Sequence, residues 1–472
     1  MMRKMQTMAV ALGSALLCAT AGAGAKSDGE AAFRALYKEL IETNTTLSVG
    51  SCRAAEDKMA ARLRAAGYGD ADLHFYAPED RPKDAALIAT LPGSDGSLKP
   101  ILLLAHIDVV EAKREDWQRD PFTLVEENGY FYARGASDDK AMASVFTDSM
   151  IRYKQEGFEP RRGLKLALTC GEETPEHFNS VYWLIQHHPQ VLDAAFALNE
   201  GAGGELDAHG QPRALQLQAG EKVYQDYTLE TTNPGGHSSR PVPDNAIYEL
   251  STALLKVGAH QFPMALNDAT RAYFTEQAKL AAPDVAADMK AVLEHQDETA
   301  AQRLWKRNPG WYSMMRTTCV ATMVDAGHAP NALPQRATAN VNCRILPGVP
   351  PEQIEQALAA AIADPGVKIT AGHEPSTGVG APPPLNDKIL GPVRQVAEQI
   401  WPGVAIVPTM STGATDSRFL NGVGIPSYGM SGMFFDAEGS HAHGLDERIR
   451  VKSLMDGRRF LYNVVKLYAN QT

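Results

Sequence analysis

The sequence contains little cysteine and no long run of basic residues. Five of its 472 residues are cysteine, and after residue 25 they are scattered as Cys52, Cys170, Cys319 and Cys343. This spacing is typical of neither a disulfide-rich scaffold nor a zinc finger. The formal net charge is -11. The charge and the lack of a basic tract argue against nucleic acid or an anionic membrane surface as a partner.

Two of the cysteines allow two interpretations. Cys319 and Cys343 lie almost symmetrically about the turn at Asn331–Pro334, so they could face each other across a hairpin. An oxidising compartment would permit a disulfide between them. Two buried free thiols fit the sequence equally well.

Outside the N-terminus, no stretch is long and apolar enough to span a bilayer. At the N-terminus, Arg3 and Lys4 precede an apolar stretch at 8–21, and Ala23-Gly24-Ala25 follows it. This order is typical of a secretory signal peptide. A buried N-terminal helix is the alternative, but the segment is rich in small residues. We expect residues 1–25 to be removed as a signal peptide, and the mature chain to be periplasmic or secreted.

A chain of 472 residues is too long for one compact core, which predicts two domains. In residues 26–221, short apolar strands alternate with helices, as is typical of an α/β domain with a mainly parallel sheet. The same pattern resumes in residues 375–472, which we assign to the same domain. The expected strands of the first part include 86–89, 101–104, 164–168 and 194–198.

Residues 222–374 show a different pattern, with elements in the order β-α-β-β-α-β. This order is typical of a small α+β domain with a four-stranded antiparallel sheet. Residues 258–315 are interpreted as a helical insertion in that domain. We therefore expect a second domain inserted into the first.

Acidic side chains and a histidine follow three of the predicted strands, at the point where each strand ends. His106 and Asp108 follow one strand, Glu172 and Glu173 the next, and Glu200 a third. Open α/β sheets bind ligands just beyond the carboxyl ends of their strands. We expect these side chains to meet at one edge of the sheet.

Two further segments carry residues of the same types. Asp138 and Asp139 lie in a turn that leads into a helix, and His443 lies near the C-terminus. Alone, the aspartates could be a helix N-cap. Together with the strand-end residues they form a set of imidazoles and carboxylates without a thiolate, which favours a two-metal hydrolytic site. Asp108 would orient His106 as a metal ligand.

These motifs resemble those of the dizinc peptidase family that includes glutamate carboxypeptidase, carboxypeptidase S, bacterial dipeptidases and the aminoacylases. They cover nearly the whole mature chain. The resemblance implies a zinc-peptidase catalytic domain and an inserted lid or dimerisation domain. The matching motifs are HxD at His106, RGxxDDK at Arg134–Lys140, Glu172-Glu173, Asn199-Glu200-Gly201, GGHSS at Gly235–Ser239, NALP at Asn331–Pro334, Arg344, GATDSR at Gly413–Arg418 and HxxDE at His443–Glu447.

The resemblance also implies a role for each residue of the metal site. His106 and Glu200 would hold one Zn²⁺, Glu173 and His443 the other, and Asp138 would bridge them. Mn²⁺ or Co²⁺ could replace zinc. A cis peptide bond after Asp138 is usual in similar proteins.

Catalytic and substrate-binding roles follow from the same resemblance. Glu172 would be the general base, and His237 would stabilise the oxyanion. Arg344 would bind a free carboxylate of the substrate, assisted by Asn331 and by the backbone at Gly413–Thr415. In similar dimeric enzymes the counterpart of His237 comes from the partner subunit, whereas larger monomeric ones supply it otherwise. The helical insertion at 258–315 fits either arrangement, and we expect a homodimer through the inserted domain.

The implied function is a metallohydrolase that cleaves the amide bond next to a free carboxylate in peptides, dipeptides or N-acyl amino acids. An N-acyl amino acid deacylase of the aminoacylase type is the alternative within the same chemistry. A non-catalytic binding module on the same fold is the other alternative. Such a module would be expected to lose ligands or the base, and every one of those positions is filled here.

Overall fold

The computed structural model describes residues 29–373 and 376–471. The expected signal peptide at 1–25 lies outside the described residues. The helices are α1 (Glu30–Ile41), α2 (Cys52–Ala65), α3 (Lys140–Gln155), α4 (Ser180–His187), α5 (Pro189–Leu192), α6 (Ala246–Ala259), α7 (Asp268–Leu280), α8 (Pro283–His295), α9 (Glu298–Arg307), α10 (Pro309–Met315), α11 (Pro351–Ile362), α12 (Asp387–Ile400), α13 (Ser417–Gly422) and α14 (Val451–Ala469).

The strands form one large sheet, one four-stranded sheet and two smaller ones. In chain order they are β1 (Leu73–Tyr76), β2 (Ala86–Leu91), β3 (Ile101–His106), β4 (Val125–Glu127), β5 (Tyr130–Tyr132), β6 (Leu164–Thr169), β7 (Phe196–Asn199), β8 (Gly204–Leu206), β9 (Pro212–Glu221), β10 (Val223–Thr232), β11 (Gly236–His237), β12 (Thr318–Ala326), β13 (Ala332–Leu333), β14 (Arg336–Ile345), β15 (Lys368–Ala371), β16 (Ala405–Ser411), β17 (Ser427–Gly429), β18 (Phe434–Phe435) and β19 (Arg448–Arg450).

The large sheet has ten strands, in the order β1-β2-β6-β3-β7-β17-β9-β8-β18, with β16 paired to β9. Strands β6, β3, β7 and β17 run parallel to one another. At one end, β1 and β2 pair antiparallel. The expected mixed α/β fold with a mainly parallel sheet is confirmed, and the carboxyl ends of β3, β6 and β7 lie at the same edge.

Strand β3 shows why this sheet is central to the core. Leu103 and Ala105 pack into the cluster that contains α1 and α3, whereas Leu102 and Leu104 pack on the opposite face with α4. All four are fully buried. A strand buried on both faces must be a continuous apolar run, and each leucine contributes roughly 1.5–3 kcal/mol by burial. The strand is therefore a rigid base for His106 at its end.

The four-stranded sheet is antiparallel, in the order β12-β14-β10-β15. Its own hydrophobic cluster includes Leu250 of α6 and Leu358 of α11. With these two helices, the elements follow the β-α-β-β-α-β order expected for residues 222–374. Helices α7–α10 interrupt that order between α6 and β12, and Phe274, Met289 and Leu304 pack with the core of the large sheet. The helical insertion thus extends from the small sheet onto the large one.

All four cysteines outside the N-terminal segment are disulfide-bonded. Cys319 and Cys343 are directly opposed on β12 and β14 and form a disulfide, so the bonded interpretation applies. Cys52 and Cys170 form a second disulfide, which the sequence pattern did not reveal. It joins the start of α2 to the segment just before Glu172. Among the residues that the structure describes, no helix is long and apolar enough to cross a membrane.

Candidate dinuclear metal site

The edge of the large sheet collects the predicted metal ligands from five segments. His106 ends β3, Glu173 follows β6, and Glu200 directly follows β7. Asp138 lies in the turn just before α3, and His443 lies in the loop before β19. These five segments are widely separated in sequence, so the fold alone brings their side chains together.

The five side chains form two groups that share Asp138. His106 Nε2 lies 3.1 Å from Asp138 Oδ1 and 3.6 Å from Glu200 Oε1. His443 Nε2 lies 3.2 Å from Asp138 Oδ2 and 2.9 Å from Glu173 Oε2. Within each group the potential ligand atoms lie within 4.8 Å of one another. This imidazole and carboxylate set, with Asp138 facing both ways, fits two closely spaced cations such as Zn²⁺.

The clustered carboxylates control the pKa values within the site. Burial would lower the pKa of His106, but Glu200 and the other nearby carboxylates raise it well above its ordinary value. Hydrogen bonds to Asp138 and Glu173 raise the pKa of His443 to about 10. Burial raises the pKa of Glu172, and the negative charge of Glu200 adds to this effect. The site is thus rich in negative charge and suited to cations.

Asp108 has a wider role than orienting His106. His106 Nδ1 lies 3.1 Å from the carbonyl oxygen of Asp108 and 3.6 Å from its carboxylate, which leaves Nε2 facing Asp138. The Asp108 carboxylate also accepts hydrogen bonds from the backbone N–H of Glu172, at 3.3 Å, and of Glu173, at 3.1 Å. One aspartate therefore fixes a histidine, the candidate base and a second ligand.

Glu447 closes the HxxDE motif, and sequence reasoning assigned it no role. Its carboxylate is 1% exposed and pairs with Arg134 at 2.8 Å. It also accepts hydrogen bonds from the backbone N–H groups of Gly135, Ser137 and Asp138, at 3.0, 2.8 and 3.0 Å. Glu447 thereby holds the turn that presents Asp138. A cis peptide bond follows Asp138, as the resemblance implies.

His237 lies on β11 of the small two-stranded sheet, and Asn331 directly precedes its partner strand β13. Ser238 N–H donates to the carbonyl oxygen of Asn331 at 3.0 Å. The backbone N–H of Ser239 donates to His237 Nδ1 at 3.2 Å, so a neutral ring carries its hydrogen on Nε2, ready to donate. His237 is exposed, and within the described part of the chain its ring makes no hydrogen bond or ion pair with the metal groups.

Arg344 lies on β14 and is partly buried. Its guanidinium stacks on Tyr224, 4.6 Å from the ring centroid, and its Nε donates to Asn342 at 3.4 Å. Burial lowers the pKa of Arg344, and the positive charge of Arg418 lowers it further. Arg418 and Tyr224 line a cavity of about 310 Å³ between the two sheets. An anion in this cavity would therefore meet the positive charge of Arg418, with the charge of Arg344 nearby.

The backbone N–H groups of Gly413 and Thr415, which were predicted to assist substrate binding, already donate hydrogen bonds within the protein. Gly413 N–H donates to Ser411 Oγ at 3.0 Å, and Thr415 N–H donates to Glu221 Oε2 at 3.1 Å. Thr415 Oγ1–H also donates to Glu221, at 2.8 Å. Glu221, which the sequence did not single out, thus positions this loop. The substrate contacts of Gly413 and Thr415 stay predictions.

The fold and the site define a class: an α/β metal-dependent hydrolase with an inserted four-stranded sheet. A family model described as peptidase family M20/M25/M40 matches residues 102–467. The chain belongs to this peptidase family, and the resemblance drawn from the motifs is confirmed.

Relatives with named activities agree with this assignment. The human N-fatty-acyl-amino acid synthase/hydrolase PM20D1 is 30% identical over 389 residues, covering 80% of this chain and 76% of that protein. Mouse aminoacylase-1 is 25% identical over 353 residues, covering 73% and 74%. The M20 family metallo-carboxypeptidase Sso-CP2 from Sulfolobus solfataricus has a TM-score of 0.69 at 19% identity, covering 93% of this chain and 99% of that one. The chain is therefore a metal-dependent hydrolase.

Proposed function

We propose that this protein hydrolyses the amide bond next to a free carboxylate, in N-acyl amino acids or small peptides. The observation that carries the proposal is the pair of ligand groups sharing Asp138, with Glu172 next to them and cationic Arg344 on the inserted sheet. Relatives named for N-acyl amino acid chemistry, PM20D1 and aminoacylase-1, favour the N-acyl amino acids among these substrates.

Two Zn²⁺ ions, with Mn²⁺ or Co²⁺ as substitutes, fit the two groups by their donor chemistry. One solved structure of the same fold is described as a dinuclear metal-binding peptidase of this family. When bound, the ions would supply Lewis acidity that activates water and polarises the scissile carbonyl.

The protein's own groups would move the proton and hold the substrate. Glu172 is partly buried, and burial raises its pKa, which makes its carboxylate a stronger base than an exposed one. It would accept the proton of the attacking water and pass it to the leaving amine. His237 Nε2–H would donate to the developing oxyanion. Arg344 would bind the substrate carboxylate as a planar two-point donor.

We also propose a homodimer through the inserted domain. Strand β12 is at the end of its sheet, and Val320, Met323 and Val324 on it are 57%, 71% and 61% exposed. On the neighbouring helix α6, Tyr248 and Leu255 are also exposed. An apolar edge strand of this kind favours pairing with a second copy. Export after removal of residues 1–25 stays a proposal, which the two disulfides support because such bonds persist in oxidising compartments.

The test is a substrate panel on the zinc-loaded mature protein. It compares dipeptides with N-acetyl amino acids, each as the free acid and as the C-terminal amide. We expect free acids to be hydrolysed much faster than amides. Arg344→Lys should raise KM for free acids at least tenfold and leave the slow rates on amides unchanged, because lysine cannot form the two-point contact. Equal hydrolysis of free acids and amides by the wild type would contradict the proposal.

A further inference from the structure

The candidate base and one candidate metal ligand lie on a short segment after β6. We call residues 170–173 the base loop, and it contains Glu172 and Glu173. Asp108 holds the second half of this loop, because its carboxylate accepts hydrogen bonds from the backbone N–H groups of both glutamates. The first half of the loop is held by groups that lie outside the metal site.

A disulfide and two hydrogen bonds hold Cys170, the first residue of the base loop. Cys170 is bonded to Cys52 at the start of α2, and the two residues are 6% and 2% exposed. Helix α2 is a firm anchor, because Met59 and Leu63 on it are fully buried in the core of the large sheet. Cys170 N–H donates to Ser180 Oγ, and Ser180 N–H donates to the carbonyl oxygen of Cys170, both at 2.9 Å. The disulfide therefore ties the base loop to a helix that carries none of the five candidate ligands.

Asn179, which is 3% exposed, holds the second residue of the base loop. Its Nδ2–H group donates to the carbonyl oxygen of Gly171 at 3.2 Å and to Asp416 Oδ1 at 2.6 Å. Its Oδ1 caps α4 by accepting from Tyr182 N–H at 2.9 Å. One amide side chain thus supports the helix with its oxygen and the base loop with its nitrogen.

Gly171 fits closely against the segment before α4. Its φ is +90°, in the left-handed region that favours glycine. A Cβ at this position would collide with the carbonyl oxygen of Phe178. A shift of Cys170 would therefore move Glu172, since there is no free space around Gly171 to absorb it. Misplacing a catalytic group by about 1 Å can cost roughly 10²-fold in rate.

We propose that the Cys52–Cys170 disulfide and the Asn179 side chain are positioning groups for the base loop. They act through Cys170 and Gly171, and they place Glu172 for proton transfer and Glu173 as a metal ligand. The inference rests on the proposed function for the role of Glu172. Its consequence for metal binding can be measured without any substrate.

The two metal groups depend differently on these positioning groups. Glu173 belongs to the group that contains His443, whereas the other group contains His106 and Glu200. His106 ends β3 and Glu200 follows β7, so neither of them lies on the base loop. Asp138 is shared by both groups and is also outside the loop. Loss of the positioning groups should therefore weaken the Glu173–His443 group and spare the His106–Glu200 group.

The test compares variants that lack one disulfide each. At a free zinc concentration where the wild type holds two ions, Cys52→Ala/Cys170→Ala should hold one, by elemental analysis after dialysis. Affinity for the second ion should fall about 10–100-fold, as is usual when a group that supports a metal ligand is lost. Cys319→Ala/Cys343→Ala is the matched control, because it removes the disulfide of the inserted sheet and should keep both ions. Tryptophan fluorescence identifies a temperature at which both variants are folded.

Kinetics on free-acid substrates give a second measurement. With zinc at saturation, Cys52→Ala/Cys170→Ala should lose about 10–100-fold in kcat. KM should stay close to the wild-type value, because Arg344 lies on the inserted sheet and not on the base loop. A partly unfolded sample would instead lose both metal ions together.

Asn179→Ser tests the same loop with the disulfide in place. Serine keeps an oxygen that can cap α4 and removes the N–H group that donates to Gly171. This variant should lose kcat and affinity for the second ion in the same direction as the cysteine variant. Asn386→Ser changes the N-cap of α12 in the same way and should change neither.

The outcomes separate this inference from the proposed function. Wild-type zinc affinity and kcat in either folded variant would overturn the role assigned to that group. Equal weakening of both ions would also overturn the inference, because the base loop carries a ligand of only one group. If the cysteine variant did not fold, Asn179→Ser alone would decide. Hydrolysis of no free acid by the wild type would end the proposed function, whereas the zinc measurements would still decide the positioning role.

Discussion

Replacing Glu221 with glutamine should change how stability depends on pH. Glu221 ends β9 and is 4% exposed. Its Oε2 accepts hydrogen bonds from Thr415 and, at 3.1 Å, from Gln218 Nε2. Its Oε1 is buried and has no hydrogen-bond partner among the residues described. Burial raises the pKa of Glu221 from 4.5 to about 8.

The sign and size of the effect follow from this pKa. Below pH 4.5 the side chain is protonated in both the folded and the unfolded chain. As the pH rises towards 8, the unfolded chain loses this proton and the folded protein keeps it. The free energy of unfolding therefore falls by about 1.4 kcal/mol per pH unit between these two values. The total loss is on the order of 4 kcal/mol by pH 8. Glutamine is nearly isosteric and uncharged, so Glu221→Gln should remove this loss.

The assay is urea unfolding followed by tryptophan fluorescence, at pH 5 and at pH 8, with the same zinc concentration. The free energy of unfolding of Glu221→Gln minus that of the wild type should be about 3–4 kcal/mol larger at pH 8 than at pH 5. Glu79→Gln, at an exposed position, should gain nothing. If the difference between Glu221→Gln and the wild type were equal at both pH values, Glu221 would be ionised in the folded protein and the reasoning would be wrong.

Three further predictions concern the metal site and the N-terminus. Glu172→Gln should keep two metal ions by elemental analysis and lose several orders of magnitude in kcat, because only proton transfer is removed; near wild-type turnover would remove Glu172 as the base. Asp138→Ala should lose both metal and activity, since the two cations would lack their shared carboxylate, and full metal content would refute the bridging role. Exported protein should begin near Lys26 by N-terminal sequencing, whereas a mature chain that retains Met1 would refute the signal peptide.

Much of the fold could be predicted because strong periodicity and burial coincide. The helical spacing of Phe33, Leu36 and Ile41 is typical of an amphipathic helix, and these residues are buried in α1. The strand expected at 164–168 matches β6 to within one residue. Such elements bury one face or both faces, so their hydrophobic pattern is clear.

The elements that sequence reasoning missed have weaker patterns. Strand β9 carries polar Gln216 and Gln218 inside the sheet, and buried Gln218 donates a hydrogen bond to Glu221. The Cys52–Cys170 disulfide joins residues 118 positions apart. A local sequence pattern cannot predict this disulfide, because only the folded structure brings two residues so far apart in sequence into contact.

The sequence predicted which residues are candidate metal ligands. Only the structure shows that the carboxylates at this edge of the sheet are of two kinds, with different hydrogen-bond partners. Asp108 and Glu447 accept backbone N–H groups, so their lone pairs are engaged in holding neighbouring segments. Asp138, Glu173 and Glu200 instead face imidazole nitrogens. A cation can take the place of those imidazole contacts without disturbing the backbone. Asp108 and Glu447 hold the backbone of Glu173 and Asp138 by these hydrogen bonds. The candidate ligand carboxylates therefore stay in position, because hydrogen bonds around metal ligands fix their geometry.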